Sequence, residues 1–264
     1  MELQYKFTSD ILFKMLFVKH PGLLLRLVAK LLNIQESSIS EFRITNREMP
    51  PELMGDKFCR LDITMIVNGQ LVNLEIQVKK QGDYPERSLY NWARFYSNAL
   101  KSGDAYMILP RVVVINIVAF HLFAGEAVHS EFEVLEVNRH TRLTDRLSMH
   151  YYELQKLPEA IDADDAQQLW LQLFNAQTTE ELTKLEALEV PDMKEAIGAY
   201  RYVTALPEYQ EYERLREIAR HNEASALLQA KLEAREESDA KWQTVVADKD
   251  AEIAKQRAQL SGHK

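Results

Sequence analysis

The sequence is poor in cysteine, since Cys59 is the only one among 264 residues. A disulfide framework is therefore excluded, and a lone thiol fits a reducing compartment, so we expect a cytoplasmic protein. The seven histidines do not show the spacing of a zinc site, and there is no second cysteine to complete one. Disulfide-stapled domains and zinc fingers are thus not predicted.

Long apolar runs are also missing. The segment RVVVINIVAFHLF has thirteen residues, which is short of the roughly 20 that a membrane-spanning helix needs and suits a buried strand. The opening residues MELQYKFTSD do not have the pattern of a secretory signal peptide. We therefore expect no membrane partner.

Common nucleotide-binding and hydrolase motifs are not found, including GxGxxG, the P-loop and the serine nucleophile elbow. The net charge of −8 argues against a generally basic nucleic-acid binder. However, eleven acidic and three basic residues between Glu153 and Glu195 account for this whole charge. The balanced remainder can still hold the local basic patch that DNA binding needs.

The residues that are present predict a β-hairpin in RLDITMIVNGQLVNLEIQVKK, from Arg60 to Lys80. Asn68-Gly69 between two apolar runs is typical of a type I′ turn, because both central residues of that turn need positive φ. This turn sets a register that a one-residue slip would invert. One face then collects eight apolar residues, namely Leu61, Ile63, Met65, Val67, Val72, Leu74, Ile76 and Val78.

The opposite face of the predicted hairpin places Asp62 directly across from Glu75. Two carboxylates about 5 Å apart repel each other by about 3 kcal/mol at an effective dielectric of about 20. A divalent cation between them reverses the sign, and oxygen ligands suit Mg²⁺, Mn²⁺ or Ca²⁺. Alternatively, both side chains turn to solvent, or one pairs with Arg60 or Lys79.

The segment DYPERSLYNWARFYSNALKSG predicts a helix after the hairpin. Asp83 and Glu86 form a D-x-x-E capping box, and Gly103 is placed to end the helix. The predicted buried stripe is Leu89, Ala93, Tyr96 and Leu100. The opposite stripe can grip DNA phosphates or be an ordinary solvated face, and it consists of Arg87, Tyr90 or Asn91, Arg94, Asn98 and Lys101.

The remaining pattern predicts an α/β fold, in which a mixed sheet is flanked by helices and followed by a C-terminal helical extension. Two helices are expected across 8–33, the first capped by Thr8, Ser9 or Asp10. Strands are expected in EFRITNREM, at 111–120, in FEVLEV and in MHYYELQKL.

An acidic helical region follows at 158–206. In 207–264, Trp242, Val246, Ile253 and Leu260 keep near-heptad spacing, which predicts a long exposed helix that can self-associate as a coiled coil. The alternative for this segment is a partly disordered charged tail.

The order of these features resembles that of the PD-(D/E)xK nuclease superfamily. An acid lies on one strand and E-x-Q on the next, and a basic helix and a buried strand follow. More narrowly, the chain resembles the Rpn family of recombination-promoting nucleases, also described as PD-(D/E)xK nuclease family transposases. The resemblance runs through TSDILFKMLF, DKFCRLDITMIVNGQLVNLEIQ, RSLYNWARFYSNALKSGDAY, VVVINIVAFHLF and LTDRLSMHYYELQKL. It implies a nuclease-like domain over 1–157 with a restriction-endonuclease-like sheet.

The resemblance also implies roles for individual residues. Asp62 and Glu75 match the metal-binding acids, and Gln77 takes the third place, where many superfamily members have lysine. Lys79 lies two residues further and either reaches over the site or is solvated. Leu61 replaces the proline of the nominal Pro-Asp motif.

Two further residues, Asp10 and Lys14, match the first motif of the family and are expected to line the site. From the residues alone, they are equally a helix cap and a surface lysine.

The function implied is Mg²⁺-dependent endonuclease cleavage of double-stranded DNA, linked to recombination or mobile elements. Mg²⁺ would polarise the phosphate and lower the pKa of a bound water. Gln77 has no basic group, so it would orient water or donate to a phosphate oxygen. The alternative is a catalytically degraded DNA-associated or scaffold module that acts through its C-terminal helices.

Overall fold

The computed structural model describes residues 1–46, 62–80 and 82–261, with side chains described to Arg257. Its strands are β1 (Phe42–Ile44), β2 (Ile63–Val67), β3 (Gln70–Gln77), β4 (Val112–Val118), β5 (His129–Phe132) and β6 (Leu147–Glu153). Its α-helices are α1 (Asp10–Lys19), α2 (Pro21–Leu31), α3 (Tyr84–Ser97), α4 (Ala166–Asn175), α5 (Thr179–Ala187), α6 (Pro191–Ala205) and α7 (Pro207–Ser261).

These strands form a six-stranded mixed sheet in the order β1-β2-β3-β4-β6-β5. β4 lies between β3 and β6 and is parallel to both, whereas the outer pairs are antiparallel. Both faces of β4 are covered, so it is buried along its whole length, as a continuous apolar run predicts. The α/β fold predicted from the sequence, with helices around a mixed sheet, is confirmed.

The hairpin has the predicted register, with Ile63 opposite Leu74 and Met65 opposite Val72. Its turn residues Asn68 and Gly69 have φ of 48° and 75°, as a type I′ turn requires. The apolar face is buried from Ile63 to Ile76. The prediction is wrong for Val78, which is 50% exposed because β3 ends at Gln77. Arg60 and Leu61 lie outside the described residues.

Two layers of helices cover the sheet. On the face that carries Leu74 and Ile115, α1, α2, α4 and α6 enclose the main core. Aromatic rings join the first helices to the later ones, since Phe17 packs against Trp170 with ring centroids 6.2 Å apart. On the other face, α3 packs over a smaller cluster that includes Tyr84 and Tyr151. Helices from the 158–206 region thus share one core with the N-terminal helices.

The chain forms two compact units, Met1–Glu213 and Arg214–Lys264. The first contains the sheet and α1 to α6, and the second is the remainder of α7. The expected division at 1–157, 158–206 and 207–264 stays a prediction. In the described ranges, none of the helices is both long enough and apolar enough to pass through a bilayer.

The ends of α3 differ from the prediction. Asp83 occupies the N-cap position, but its side chain makes no capping hydrogen bond to the described backbone. The helix ends at Ser97 with Asn98 as its C-cap, and Gly103 lies in a later turn with φ of 92°.

The buried face of α3 also differs from the apolar stripe predicted for it. Leu89 is 50% exposed and Ala93 is exposed, whereas the buried residues are Tyr84, Ser88 and Asn91. The physical reason is that this part of the sheet presents polar partners, so the helix docks through hydrogen bonds as well as apolar contact.

The strand predicted in FEVLEV is displaced. β5 ends at Phe132, and beyond it Leu135 makes an isolated bridge with Arg142. The strand predicted in MHYYELQKL begins at Leu147 and ends at Glu153, where a 3-10 turn follows over Leu154–Lys156.

Candidate active site

A line of polar side chains crosses the sheet beneath α3. Glu75 on β3 pairs with Asn116 on β4, which pairs with Tyr151 on β6. The antiparallel pairing of Ile63 with Leu74 places Asp62 opposite Glu75 when it is continued by one residue. Because side chains alternate between faces, these four residues share the face that α3 covers. We call them the polar row.

Glu75 is the buried acid of the polar row, with 7% of its surface exposed. Its Oε1 lies 3.4 Å from Nη2 of Arg87 on α3. The Arg87 guanidinium is also held over the Tyr84 ring, 4.9 Å from its centroid, which is a cation–π geometry. Arg87 was predicted to face phosphates, and here it lies between the buried carboxylate and the helix surface.

Hydrogen bonds attach α3 to the rest of the polar row. Tyr84 Oη donates to Oδ1 of Asn116 over 3.0 Å, and Nδ2 of Asn116 donates to the His150 carbonyl. Ser88 forms a short hydrogen bond with Tyr151 Oη. Burial raises the pKa of Tyr151, and this phenol therefore stays neutral at physiological pH. These contacts fix the position of α3 over Glu75.

The backbone of Asp62 is held by two side chains from other elements. Asn46, just after β1, donates from Nδ2 to the Asp62 carbonyl over 2.9 Å and accepts from the Thr64 amide over 2.8 Å. Nζ of Lys14 on α1 donates to the same carbonyl over 2.9 Å. Asn46 thereby continues the β1–β2 ladder with its side chain, and Asp62 is ordered at the point where β2 begins.

Lys14 brings a buried amine to this end of the sheet. It is 2% exposed, so its alternative as a surface lysine is wrong. Lysine is rarely buried to this extent in proteins. The burial of Lys14 beside Asp62 is therefore an unusual arrangement. The other first-motif residue, Asp10, opens α1, where its Oδ1 accepts from the amide of Ile11 over 3.0 Å.

Gln77 lies at the end of β3 and is half-buried. Its Nε2 donates to the Lys79 carbonyl over 3.0 Å, which engages its amide in the local turn. Lys79 is exposed and follows the strand end. Tyr90 is 63% exposed and Arg94 is exposed, both on the surface of α3. The structure thus gathers Lys14, Asp62, Glu75 and Arg87. Gln77 and Lys79 follow at the end of β3, and Tyr90 and Arg94 lie on the surface of α3.

Sequence reasoning missed the residues that hold the site together, above all Asn46, Tyr84 and Ser88. One signal was available for the last two, because Tyr84 and Ser88 are four residues apart and therefore share a helical face. For Asn46 the sequence offered no such signal, since its contacts depend on where β1 meets β2.

The donor set fits a weakly held hard cation. In the part of the chain that the structure describes, no group of three or more His, Cys, Asp or Glu side chains is placed to hold a metal ion. Asp62 and Glu75 offer two carboxylates and no nitrogen or sulfur donor. Mg²⁺ is commonly held by one or two carboxylates, with water and phosphate oxygens completing its shell.

Comparison with known proteins shows the family of this chain. No curated protein and no solved structure matches the chain. The family of PD-(D/E)XK nuclease family transposases matches over residues 7–230. This match includes α1, every strand of the described sheet and α3, and it therefore covers all four residues gathered at the site. Because it spans most of the chain, the protein belongs to the PD-(D/E)XK nuclease family transposases.

Proposed function

We propose that this protein is a cytoplasmic, divalent-metal-dependent endonuclease that hydrolyses phosphodiester bonds of double-stranded DNA during recombination or the movement of mobile elements. The observation that supports the proposal is the antiparallel register of β2 and β3, which brings Asp62 across from the buried Glu75 on the face of α3. Placing two acids together is unfavourable in a purely structural hairpin. A bound cation makes it favourable.

In this proposal, Asp62 and Glu75 hold Mg²⁺, or Mn²⁺ or Ca²⁺. When bound, such a cation polarises the phosphate and makes a bound water more acidic. Arg87 touches Glu75 from α3, and so it limits the net negative charge that a DNA phosphate meets on approach.

Lys14 supplies the charge that the third motif position lacks. Many superfamily members have lysine where this chain has Gln77, whose amide donates to the Lys79 carbonyl. Lys14 Nζ is buried against the Asp62 backbone, so it places a positive charge beside the carboxylates from another element. A cation fixed in a buried position stabilises developing negative charge more strongly than one in water.

The experiment is a nicking assay on supercoiled plasmid with millimolar Mg²⁺ or with EDTA. We expect the wild type to nick only with Mg²⁺, and Asp62→Asn and Glu75→Gln to lose at least about 100-fold in rate, as for removal of a transition-state stabiliser. Glu126→Gln is the matched control, because Glu126 is exposed. Lys14→Met is expected to lose rate as well.

Either of two outcomes contradicts the proposal. Nicking that persists in Asp62→Asn removes this residue from the active site. A wild type that binds DNA but does not nick it with any of the three cations supports the alternative of a degraded, DNA-associated module.

DNA binding is tested separately, through the salt dependence of affinity. Arg94 and Arg87 share a face of α3, and each phosphate contact contributes about 0.9 to the slope of log K against log salt. We expect Arg94→Ala to lower the slope by about that amount across unrelated sequences, and Arg87→Ala to lower it by less, because Arg87 is already paired with Glu75. Arg139→Ala, at an exposed residue of the β5–β6 connection, is the control. Equal slopes in all proteins identify the α3 stripe as a solvated face.

A further inference from the structure

The part of α7 beyond Arg214 is a helix whose apolar side chains are exposed. Leu228, Trp242 and Val246 are 60%, 65% and 54% exposed. With Leu232 and Ile253 they fall on a seven-residue repeat, which is the pattern of a coiled-coil seam. Position a of the repeat contains Ile218, Ser225, Leu232, Asp239, Val246 and Ile253, and position d contains His221, Leu228, Arg235, Trp242, Lys249 and Gln256.

Charged residues interrupt this seam at Arg235, Asp239 and Lys249. Their side chains are exposed, and Arg235 lies 3.9 Å from Asp239 of the same helix. A charged side chain at position a or d is unfavourable unless the facing helix offers an opposite charge or a way out to solvent. The positions of these charges therefore restrict what can face the seam.

A parallel pairing of two copies is disfavoured by these charges. In a parallel dimer, each seam residue faces its own counterpart in the other copy. Asp239 would then meet Asp239, Arg235 would meet Arg235, and Lys249 would meet Lys249. Like charges brought together at an interface cost several kcal/mol of binding free energy.

An antiparallel pairing resolves all three conflicts, because position a of one helix then packs against position d of the other. In the register that places Asp239 against Arg235 of the second copy, Leu232 meets Trp242. The same register places Val246 against Leu228. Apolar side chains meet apolar ones, and the acid meets the base.

The outer layers of the same register are compatible as well. Ser225 meets Lys249 of the second copy, and Ile253 meets His221. The six central layers, from Leu228 to Val246, extend over about 27 Å at 1.5 Å per residue. The exposed Glu236 carboxylates of the two copies approach each other beside the two-fold axis, where salt screens their repulsion.

We propose that residues 218–256 of α7 pair with the same segment of a second copy as an antiparallel coiled coil centred on residue 237. The partner of this exposed seam is thus another molecule of this chain. Two nuclease units, each with its own polar row, are thereby joined in one assembly. The inference depends on α7 alone and holds whether or not the site cleaves DNA.

The first experiment is a charge swap in the full-length chain, measured by size-exclusion chromatography with light scattering over a concentration series. The wild type is expected to be a dimer. Asp239→Arg places two positive charges opposite each other, and Arg235→Asp places two negative charges opposite each other. Each single variant is therefore expected to weaken dimerisation about tenfold or more. The double variant restores opposite charges and is expected to dimerise about as well as the wild type.

The second experiment fixes the direction of pairing by disulfide formation in a Cys59→Ser background. Ser238 is beside the two-fold axis of the antiparallel register, so Ser238→Cys is expected to cross-link two copies. Leu232→Cys is the matched control, since the two copies of residue 232 are about 15 Å apart in this register but in contact in a parallel one.

The outcomes are distinct. A chain that stays monomeric at all concentrations, or a double charge variant that fails to dimerise, overturns the proposal. Cross-linking through Leu232→Cys but not Ser238→Cys shows a parallel dimer and also overturns it. If a charge variant fails to fold, as judged by helical circular dichroism, the cysteine pair still decides.

Discussion

Acid should destabilise the first unit through a histidine that folding keeps neutral. His150 on β6 is 6% exposed and lies between two partners. Its Nδ1 is 3.0 Å from Nε2 of His129, and its Nε2 is 2.9 Å from Oγ of Ser148. Burial lowers the pKa of His150 from 6.5 to about 4, with His129 and Arg111 adding to the effect and Glu131 opposing it.

The sign follows from proton binding in the two states. Between pH 6.5 and about 4, the unfolded chain holds a proton on this histidine and the folded chain does not. The free energy of unfolding therefore falls as the pH falls through this window and levels off below it. A pKa lowered from 6.5 to about 4 corresponds to about 3 kcal/mol, which is a large part of the stability of a typical domain.

The assay is urea unfolding followed by near-UV circular dichroism at several pH values between 7.5 and 4. His150→Asn keeps a hydrogen-bonding side chain but cannot titrate, so its stability should depend less steeply on pH than that of the wild type, by up to about 1.4 kcal/mol per pH unit. His140→Asn makes the same change at an exposed residue and should follow the wild type. Parallel losses in the wild type and His150→Asn would refute the reasoning.

Two further results are expected. Lys156→Met should cost about 3–5 kcal/mol of stability, because it leaves the Glu153 carboxylate buried without its cation. In the wild type this carboxylate is 1% exposed and lies 2.7 Å from Lys156 Nζ. The check is thermal melting, in which the double variant with Glu153→Gln should lose less stability than Lys156→Met alone. Mg²⁺ at ten times its dissociation constant should stabilise the wild type by about 1.4 kcal/mol, or raise its Tm by about 3–5 °C. Asp62→Asn and Glu75→Gln should respond far less, and equal responses in the three proteins would contradict the assigned metal site.

The parts of the fold that the sequence predicted correctly are those set by local rules. The hairpin follows from Asn68-Gly69 and from alternation along two short runs, so its register was accessible. The central strand β4 follows from an unbroken apolar run. In both cases the residues that decide the structure are neighbours in the chain.

The parts that were mispredicted depend on distant partners. The buried face of α3 is polar because Asn116 and Tyr151 lie beneath it, and they do so only because β3, β4 and β6 align in parallel. Lys14 reaches Asp62 across 48 positions of sequence. From the residues alone, no pattern along α1 distinguishes such a lysine from one in solvent, and only the family resemblance of TSDILFKMLF placed Lys14 at the site.

The contacts between the first and last helices of the core also bear on how the protein is made. Phe7 stacks on Tyr200 with ring centroids 4.4 Å apart, and Phe13 packs near Phe174. A ribosome adding 5–20 residues per second needs about 10–40 s to travel from one member of the first pair to the other. For most of that interval the apolar sides of α1 and α2 exist before the helices that cover them have been made. A nascent chain paused within α4 to α6 therefore presents an exposed apolar surface. The yield of folded protein should then depend on translation speed and on chaperones that shield that surface.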